Sequence, residues 1–329
     1  MINAKIVGIE IYHGKKSVDN EYYIKHFKKQ GKDVRNLYEN VMGRKKRLEI
    51  DRENENALTM AIESSSKVLK NCNLTGEDID MIVYSGMLGE YASPTSAIFI
   101  HNAIKGKKEC FCHDMNVNCI GMTYALDLIS RYMLCNENVQ RVLLVGSENL
   151  TPQVSDENEE LYGTFGDVSC AIILEKTDGD SRLLDTRIGV NTEPYVNYVR
   201  FPACGFSKIY TKPKKEIYTK WNSFGRWWID EAVNNIDEIL AKNYLSRSDI
   251  SMYCFSQISI KNIKILREKM NISEEKSLYV ADFYGYTGTT SPFLAFYEGI
   301  KRKLIKRGDY VVFCTAAAGS IHIEVLIKY

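Results

Sequence analysis

Short apolar runs alternate along the chain with longer stretches in which apolar residues recur at helical spacing. Lys5 to Tyr12 predicts a strand and Asn20 to about Lys29 a helix, while the polar run from Lys45 to Asn56 reads as a solvated connection. Glu55 to Asn71 has helical periodicity through Leu58, Ala61, Ile62, Ser65 and Leu69. A turn at Gly76-Glu77-Asp78 then leads into a strand from Ile79 to Tyr84. Ser93-Pro94-Thr95-Ser96 has the form of an N-cap with proline at the first helical position, opening a helix over Ala97 to Ile104. Cys110 to Met115 predicts a buried strand, and Met122, Ala125, Leu126, Ile129 and Met133 place a helix after it. Strands follow at Arg141 to Gly146 and Cys170 to Glu175.

Beyond Asp178-Gly179-Asp180 the same order returns. A strand is predicted over Arg182 to Gly189, a long helix from about Asn222 to Asn243, and a strand from Met252 to Phe255. Ser248-Asp249-Ile250-Ser251 leads into that strand as Glu77-Asp78-Ile79-Asp80 leads into Met81 to Tyr84, and Arg141 to Gly146 is echoed by Tyr310 to Thr315. The chain therefore reads as an α/β fold built by tandem duplication of one unit, residues 1–178 and 179–329, with mixed sheets covered on both faces.

Composition narrows the functional classes. The 329 residues, 45% of them hydrophobic, suffice for a large core. Lys and Arg number 43 against 42 Asp and Glu, a net charge of +1 that argues against a broad nucleic-acid surface, so charge recognition must be local. The first residues run straight into a strand and no stretch approaches ~18 apolar residues, so a cytoplasmic protein without a membrane segment is expected. The nine cysteines form no CxxC pair, which points away from a structural zinc or a disulfide framework.

The candidate chemistry lies in Asn116-Val117-Asn118-Cys119-Ile120-Gly121-Met122-Thr123-Tyr124-Ala125, where a strand gives way to an amphipathic helix. Free backbone N–H groups and the positive dipole end at such a junction favour a thiolate on Cys119, and Gly121 would let a substrate approach the backbone. A thiol so placed can hold an acyl group as a thioester. The alternative is that Cys119 is one more buried, apolar cysteine.

With these residues in place the chain resembles ketoacyl-ACP synthase III of the thiolase superfamily. Asn116 to Gly121 is similar to that family's Asn-Ala-Ala-Cys-Ala-Gly nucleophile segment, and Phe165-Gly166-Asp167-Val168-Ser169-Cys170-Ala171 to its Phe-Gly-Asp-Gly-Ala-Gly-Ala. Tyr91-Ala92-Ser93-Pro94-Thr95-Ser96, Tyr284-Gly285-Tyr286-Thr287-Gly288 and the end from Gly308-Asp309 through Gly319 to Lys328-Tyr329 extend the match over nearly the whole chain. The resemblance implies a thiolase-like fold layered α-β-α-β-α and an acyltransferase with Cys119 as nucleophile. Two positions depart from it. The family's His-Gln-Ala-Asn reads Ser256-Gln257-Ile258-Ser259 here, and its Gly-Asn-Thr reads Gly285-Tyr286-Thr287, so Ser256 and Tyr286 stand where it has its catalytic histidine and asparagine. Neither is a base near neutral pH. His113 lies about 20 Å of strand upstream of Cys119, and His322 reads as a packing or dimer-contact position. Ala318 matches the glycine whose N–H, with that of Cys119, forms the family's oxyanion hole.

The family's substrate channel maps unevenly. Leu37 and Glu159 occupy the positions nearest the tryptophan and arginine that clamp adenine in the family, which weakens a coenzyme A site. Asn222, Arg226 and Lys261 match its pantetheine-channel and carrier-docking positions, and with Lys220, Lys264, Arg267 and Lys269 they form either a basic patch for an acidic acyl carrier protein or an ordinary solvated face. Trp227 and Trp228 read as core and channel wall. No resident cofactor or metal is implied, since acyl-CoA or acyl-phosphopantetheine enters as substrate. Two readings remain: a condensing acyltransferase of a specialised fatty-acid-derived or polyketide pathway, or a non-catalytic or half-active subunit paired with a complete ketosynthase. Either would be a dimer, homo or hetero, meeting its partner through strands and the Tyr91 to Pro94 loop.

Overall fold

The computed structural model describes residues 3–222 and 226–329. Its first sheet contains β1 (Asn3–His13), β2 (Met81–Ser85), β3 (Phe111–Met115), β4 (Arg141–Glu148) and β5 (Val168–Thr177), in the order β1-β5-β4-β2-β3. β2 runs parallel to both β3 and β4, while β5 is antiparallel to β4 and β1. The second sheet contains β6 (Arg182–Val190), β7 (Ile250–Phe255), β8 (Tyr310–Ala317) and β9 (Ile321–Lys328), in the order β6-β9-β8-β7. β7 is parallel to β8, and β9 is antiparallel to β8 and β6. The second order repeats the first without a partner for β3.

The strands are apolar on both faces because both faces are covered. On the first sheet Ile82, Tyr84, Leu143 and Val145 point outward onto helices α1 (Ala57–Asn71) and α2 (Ser96–Ile104). The alternate residues Met81, Val83, Val142 and Leu144 point inward onto α3 (Gly121–Cys135). The second sheet turns Met252, Cys254, Val311 and Phe313 toward the same central layer, where α6 (Ser291–Lys301) lies beside α3. Its outer face packs on α4 (Trp227–Lys242) and α5 (Ile260–Met270). The layers thus run α-β-α-β-α.

The duplication extends to turn chemistry. Thr75 N–H donates to Asp78 at 2.8 Å before β2, and Ser246 N–H donates to Asp249 at 2.7 Å before β7, a capping box at each entry.

Three local expectations are corrected. The run Lys45 to Asn56 is a solvated connection only in its second part, where Asp51 to Asn54 are exposed: Lys46–Glu49 is a strand, Leu48 and Ile50 are core, and Arg44 and Arg47 are fully buried. Helix α2 begins at Ser96 with Thr95 as its cap residue, not at Ser93-Pro94, because Asp114 of β3 accepts from Ser96 and Ala97 N–H at 2.7 and 2.8 Å and supplies the cap from outside. β3 is a sheet edge rather than a buried strand, with Phe111 58% exposed. Of the helix expected from Asn222, residues 223–225 lie outside the described residues and Trp227–Lys242 is helical.

Candidate active site

Cys119 occupies a single 3₁₀ turn, Asn118–Ile120, at the point where the chain leaves β3 and enters α3. Asn118, in a left-handed conformation with φ of 50°, makes the reversal and anchors it by donating its side-chain amide to Ala318 O at 3.2 Å. Gly121 is required for a different reason than substrate approach, since a Cβ there would meet Ser85 Oγ at 2.3 Å. A protein side chain, not a ligand, claims that space.

Tyr286 reaches the thiol from the second half of the chain. Its N–H donates to Thr164 O at 2.9 Å and its carbonyl accepts from Gly166 N–H at 3.0 Å, so the Phe165-Gly166 segment and the Tyr286 segment pair as a parallel bridge. This contact explains two glycines: a Cβ on Gly166 would sit 1.8 Å from Tyr284 O, and a Cβ on Gly285, which is at φ of 83°, would sit 2.7 Å from Gly166 N. Asp167 next door is structural. It is fully buried, its carboxyl is pushed up to about 7 by burial, and it accepts from Ile50 N–H at 3.1 Å.

Cys119, Ser256, Tyr286 and Ala318 all line one cavity of 140 Å³, whose remaining wall is mostly apolar and includes Leu161, Phe165, Trp221 and Trp228. The Tyr286 hydroxyl is in polar contact with the Cys119 thiol on one side and Ser256 on the other. Ala318 adopts an ordinary backbone conformation, the left-handed residues of that hairpin being Gly319 and Ser320, so alanine is accommodated without strain.

Electrostatics oppose the thiolate that a helix terminus alone would favour. Cys119 is open to the cavity but otherwise enclosed by protein, and burial pushes its thiol up to about 11. Tyr286 partly offsets that shift, and the Glu148 carboxyl adds to it. Glu148, at the end of β4, is itself buried and pushed up to about 8, although Met87 N–H, at 3.3 Å, and Thr289 N–H both donate to it. Sequence reasoning missed Glu148, as it missed Gln153, Trp221 and Asn262 of the cavity wall; β4 was expected to end at Gly146, two residues short of the acid.

The other candidates are placed as follows. His113 lies on edge strand β3 and His322 is buried against Glu324 at 2.9 Å; neither lines the cavity. An entrance groove shares Leu161, Trp221, Ile258 and Asn262 with the cavity and carries Leu37 and Arg226, the latter donating to Asn262 at 3.0 Å. Asn222 and Glu159 line a neighbouring acidic groove with Glu157 and Glu160, where Glu159 pairs with Lys32. Lys261 is exposed at the start of α5. The expected basic patch is smaller than its sequence: Arg267 is buried on Ser277 and Glu274, and Lys269 pairs with Asp230 at 2.7 Å. Lys220, Arg226, Lys261 and Lys264 remain exposed. Trp228 forms cavity wall as expected, while Trp227 stacks on Tyr195.

The family described as 3-oxoacyl-(acyl-carrier-protein) synthase III matches residues 113–192, and its C-terminal domain matches residues 240–329, together just over half of the chain. The chain belongs to the ketoacyl-ACP synthase III family. Beta-ketoacyl-(acyl-carrier-protein) synthase III of Clostridium perfringens strain SM101 is 26% identical over 350 residues, covering both chains completely. The Aquifex aeolicus synthase III is 25% identical, covering 82% of this chain and 83% of that one. Its crystal structure superposes with a TM-score of 0.85 over 99% of this chain and all of that one, at 24% identity. The priming β-ketosynthase of the R1128 polyketide pathway has the same fold, with a TM-score of 0.85, 16% identity, and 98% and 96% of the two chains covered. No helix among the described residues is long and apolar enough to cross a membrane.

Proposed function

We propose that the protein is a synthase III-like acyltransferase that forms an acyl-Cys119 thioester and passes the acyl group to a second acceptor. The observation that carries this reading is the convergence of Cys119, Ser256, Tyr286 and Ala318 on one apolar cavity, although Cys119 and Tyr286 come from different halves of the chain. In the loading step Cys119 Sγ attacks the thioester carbonyl, the N–H groups of Cys119 and Ala318 hold the oxyanion, and the thiol proton leaves on the departing pantetheine sulfur. That exchange needs no permanent base. Tyr286, touching both Cys119 and Ser256, is placed to relay the proton.

Acyl carrier protein is the donor this reading favours. The exposed Lys220, Arg226, Lys261 and Lys264 suit an acidic carrier, whereas Glu157, Glu159 and Glu160 beside the channel disfavour the extra phosphates of coenzyme A. Without a histidine and asparagine, decarboxylation of a malonyl unit is poorly supported, which suits a specialised fatty-acid-derived or polyketide pathway. The acyl carrier substrate, cytoplasmic setting and dimeric state belong to the same proposal. So does pairing through the unpartnered edge of β3 beside the Tyr91 to Pro94 loop.

One observation favours the second reading, a non-catalytic or half-active subunit paired with a complete ketosynthase: burial pushes the thiol up to about 11, and among the described residues no basic side chain lines its cavity. Intact mass after incubation with acyl-ACP and acyl-CoA separates the two. A thioester adduct present on wild type and lost in Cys119→Ala is expected, formed faster from acyl-ACP. No adduct from any donor would transfer support to the subunit reading.

A further inference from the structure

Two thiols away from the cavity stand close enough to react with each other. Cys110 and Cys112 flank Phe111 where the chain enters edge strand β3, and their sulfurs are 4.0 Å apart in hydrogen-bond contact. Strand residues two apart point the same way, and Cys112, opposite Ile82 in the register, shares the outward face that α2 covers. Cys110 lies just before the strand, where its N–H closes a turn on Lys107 O at 3.1 Å. The pair therefore sits above the sheet rather than in the line of its unpaired edge. Both thiols are free and partly exposed, whereas Cys170, Cys254 and Cys314 are enclosed in the core.

The contact makes the two sulfurs unequal. When Cys112 ionises, Cys110 keeps its proton and donates to it, which lowers the Cys112 thiol to about 7; burial opposes the shift and His101 of α2 supports it. The same hydrogen bond raises Cys110. A thiolate available at neutral pH beside a second thiol is the arrangement in which a sulfenic acid, once formed, is resolved to a disulfide. We propose that Cys110 and Cys112 are an oxidation site, a dithiol that a peroxide converts to an intrachain disulfide while Cys119 stays reduced. The Cys112 sulfur attacks the peroxide: an S–O bond forms, the O–O bond breaks, and water, or an alcohol from an organic hydroperoxide, leaves. The Cys110 sulfur then attacks the sulfenic sulfur, the S–S bond forms, and the oxygen departs as a second water. The protein loses two hydrogens and the peroxide is reduced. Closing the bond brings the sulfurs together by about 2 Å. That movement falls on Cys110 and Phe111, at the open start of an edge strand. The inference does not depend on the acyltransferase reading.

The test treats the reduced, folded full-length protein with hydrogen peroxide at neutral pH, quenches, unfolds, alkylates the remaining thiols and maps them. Trypsin releases Glu109–Arg131, which holds Cys110, Cys112 and Cys119 on one peptide, so fragmentation compares the three directly. Wild type should yield that peptide short of two hydrogens, with Cys110 and Cys112 unalkylated and Cys119 alkylated, at least tenfold faster than any oxidation of Cys119. Dithiothreitol should reverse it. An unchanged peptide, a disulfide to another cysteine, or oxidation of Cys119 first overturns the proposal. Cys110→Ser should stop at a sulfenic acid on Cys112, trapped by dimedone, while Cys112→Ser should trap at least tenfold less on Cys110. Equal trapping in the two variants removes the assignment of Cys112 as the attacking sulfur. A second measurement needs no oxidant: phenylarsine oxide, which bridges two neighbouring thiols, should add once to Glu109–Arg131 in wild type and to neither variant, with circular dichroism confirming that both fold. Bridging that survives in both variants, or that is absent from wild type, shows that the two sulfurs do not act as a pair.

Discussion

At the scale of single residues, burial holds the thiol of the proposed nucleophile in its neutral form. Burial that pushes the Cys119 thiol up to about 11 makes the thiolate about a hundredfold scarcer at pH 8 than on an unperturbed cysteine, since each pKa unit is a tenfold change. Iodoacetamide should therefore alkylate Cys119 on the order of a hundred times more slowly at pH 8 than an ordinary cysteine, with the rate still rising above pH 9. The neighbours act in opposite senses. Tyr286→Phe removes the contact that lowers the thiol pKa and should slow alkylation further, whereas Glu148→Gln removes a nearby negative charge at alkaline pH and should speed it. Both variants moving the rate the same way would contradict this assignment. Position was legible in the sequence, because a strand ending on Asn118-Cys119 before a helical repeat places the thiol at a junction. Acidity was not. It is set by burial among side chains distant in sequence, Leu161, Phe165 and Tyr286 among them.

At the scale of elements, the segment least legible from the sequence contributes directly to the site. Arg44 and Arg47 count as polar in any hydrophobic pattern, so a run containing them reads as surface. In the fold Arg44 donates to Thr164 O at 3.2 Å, Met42 O at 2.9 Å, and Gln257 O and Ile258 O at 3.3 and 2.9 Å, tying the loop before Phe165 to the loop after Ser256. Arg47 lies beneath the rings of Tyr23 and Tyr38. Burial lowers the pKa of both guanidiniums. Arg44→Leu orphans these carbonyls and should destabilise the protein by about 3 kcal/mol in urea unfolding, with Cys119 loading reduced together with it. A loss under about 1 kcal/mol would mean that the loops hold themselves. By contrast, elements with a clear period were legible almost to the residue. Leu58, Ala61, Ser65 and Leu69 do face the core from α1, and the echo of Glu77-Asp78 by Ser248-Asp249 proves to be two equivalent capping turns. The cap of α2 was not, because Asp114 arrives from another strand.

At the scale of the whole molecule, two sheets of matching order enclose a central helical layer, and this was readable because strands buried on both faces are continuously apolar and recur in sequence. The exposed edge of β3 was not, since a strand with apolar residues looks alike at the centre and at the rim. Cys110 to Met115 read as buried for that reason, and pairing of this edge with a second copy would bury it. The proposed dimer predicts that Phe111→Lys, at a position 58% exposed in the single chain, shifts sedimentation toward monomer without altering the fold by circular dichroism. An unchanged sedimentation coefficient would remove β3 from the interface. The crossing of the two halves at Gly166 and Tyr286 has a consequence for how such a protein diverges. Two backbone hydrogen bonds tie residue 286 to Thr164 and Gly166, and these can form whatever side chain the position bears. The position behaves as a socket: selection can exchange the group presented to the sulfur, phenol for amide or the reverse, while the flanking glycines stay locked by contact, and new reactivity can be tried there without rebuilding the scaffold.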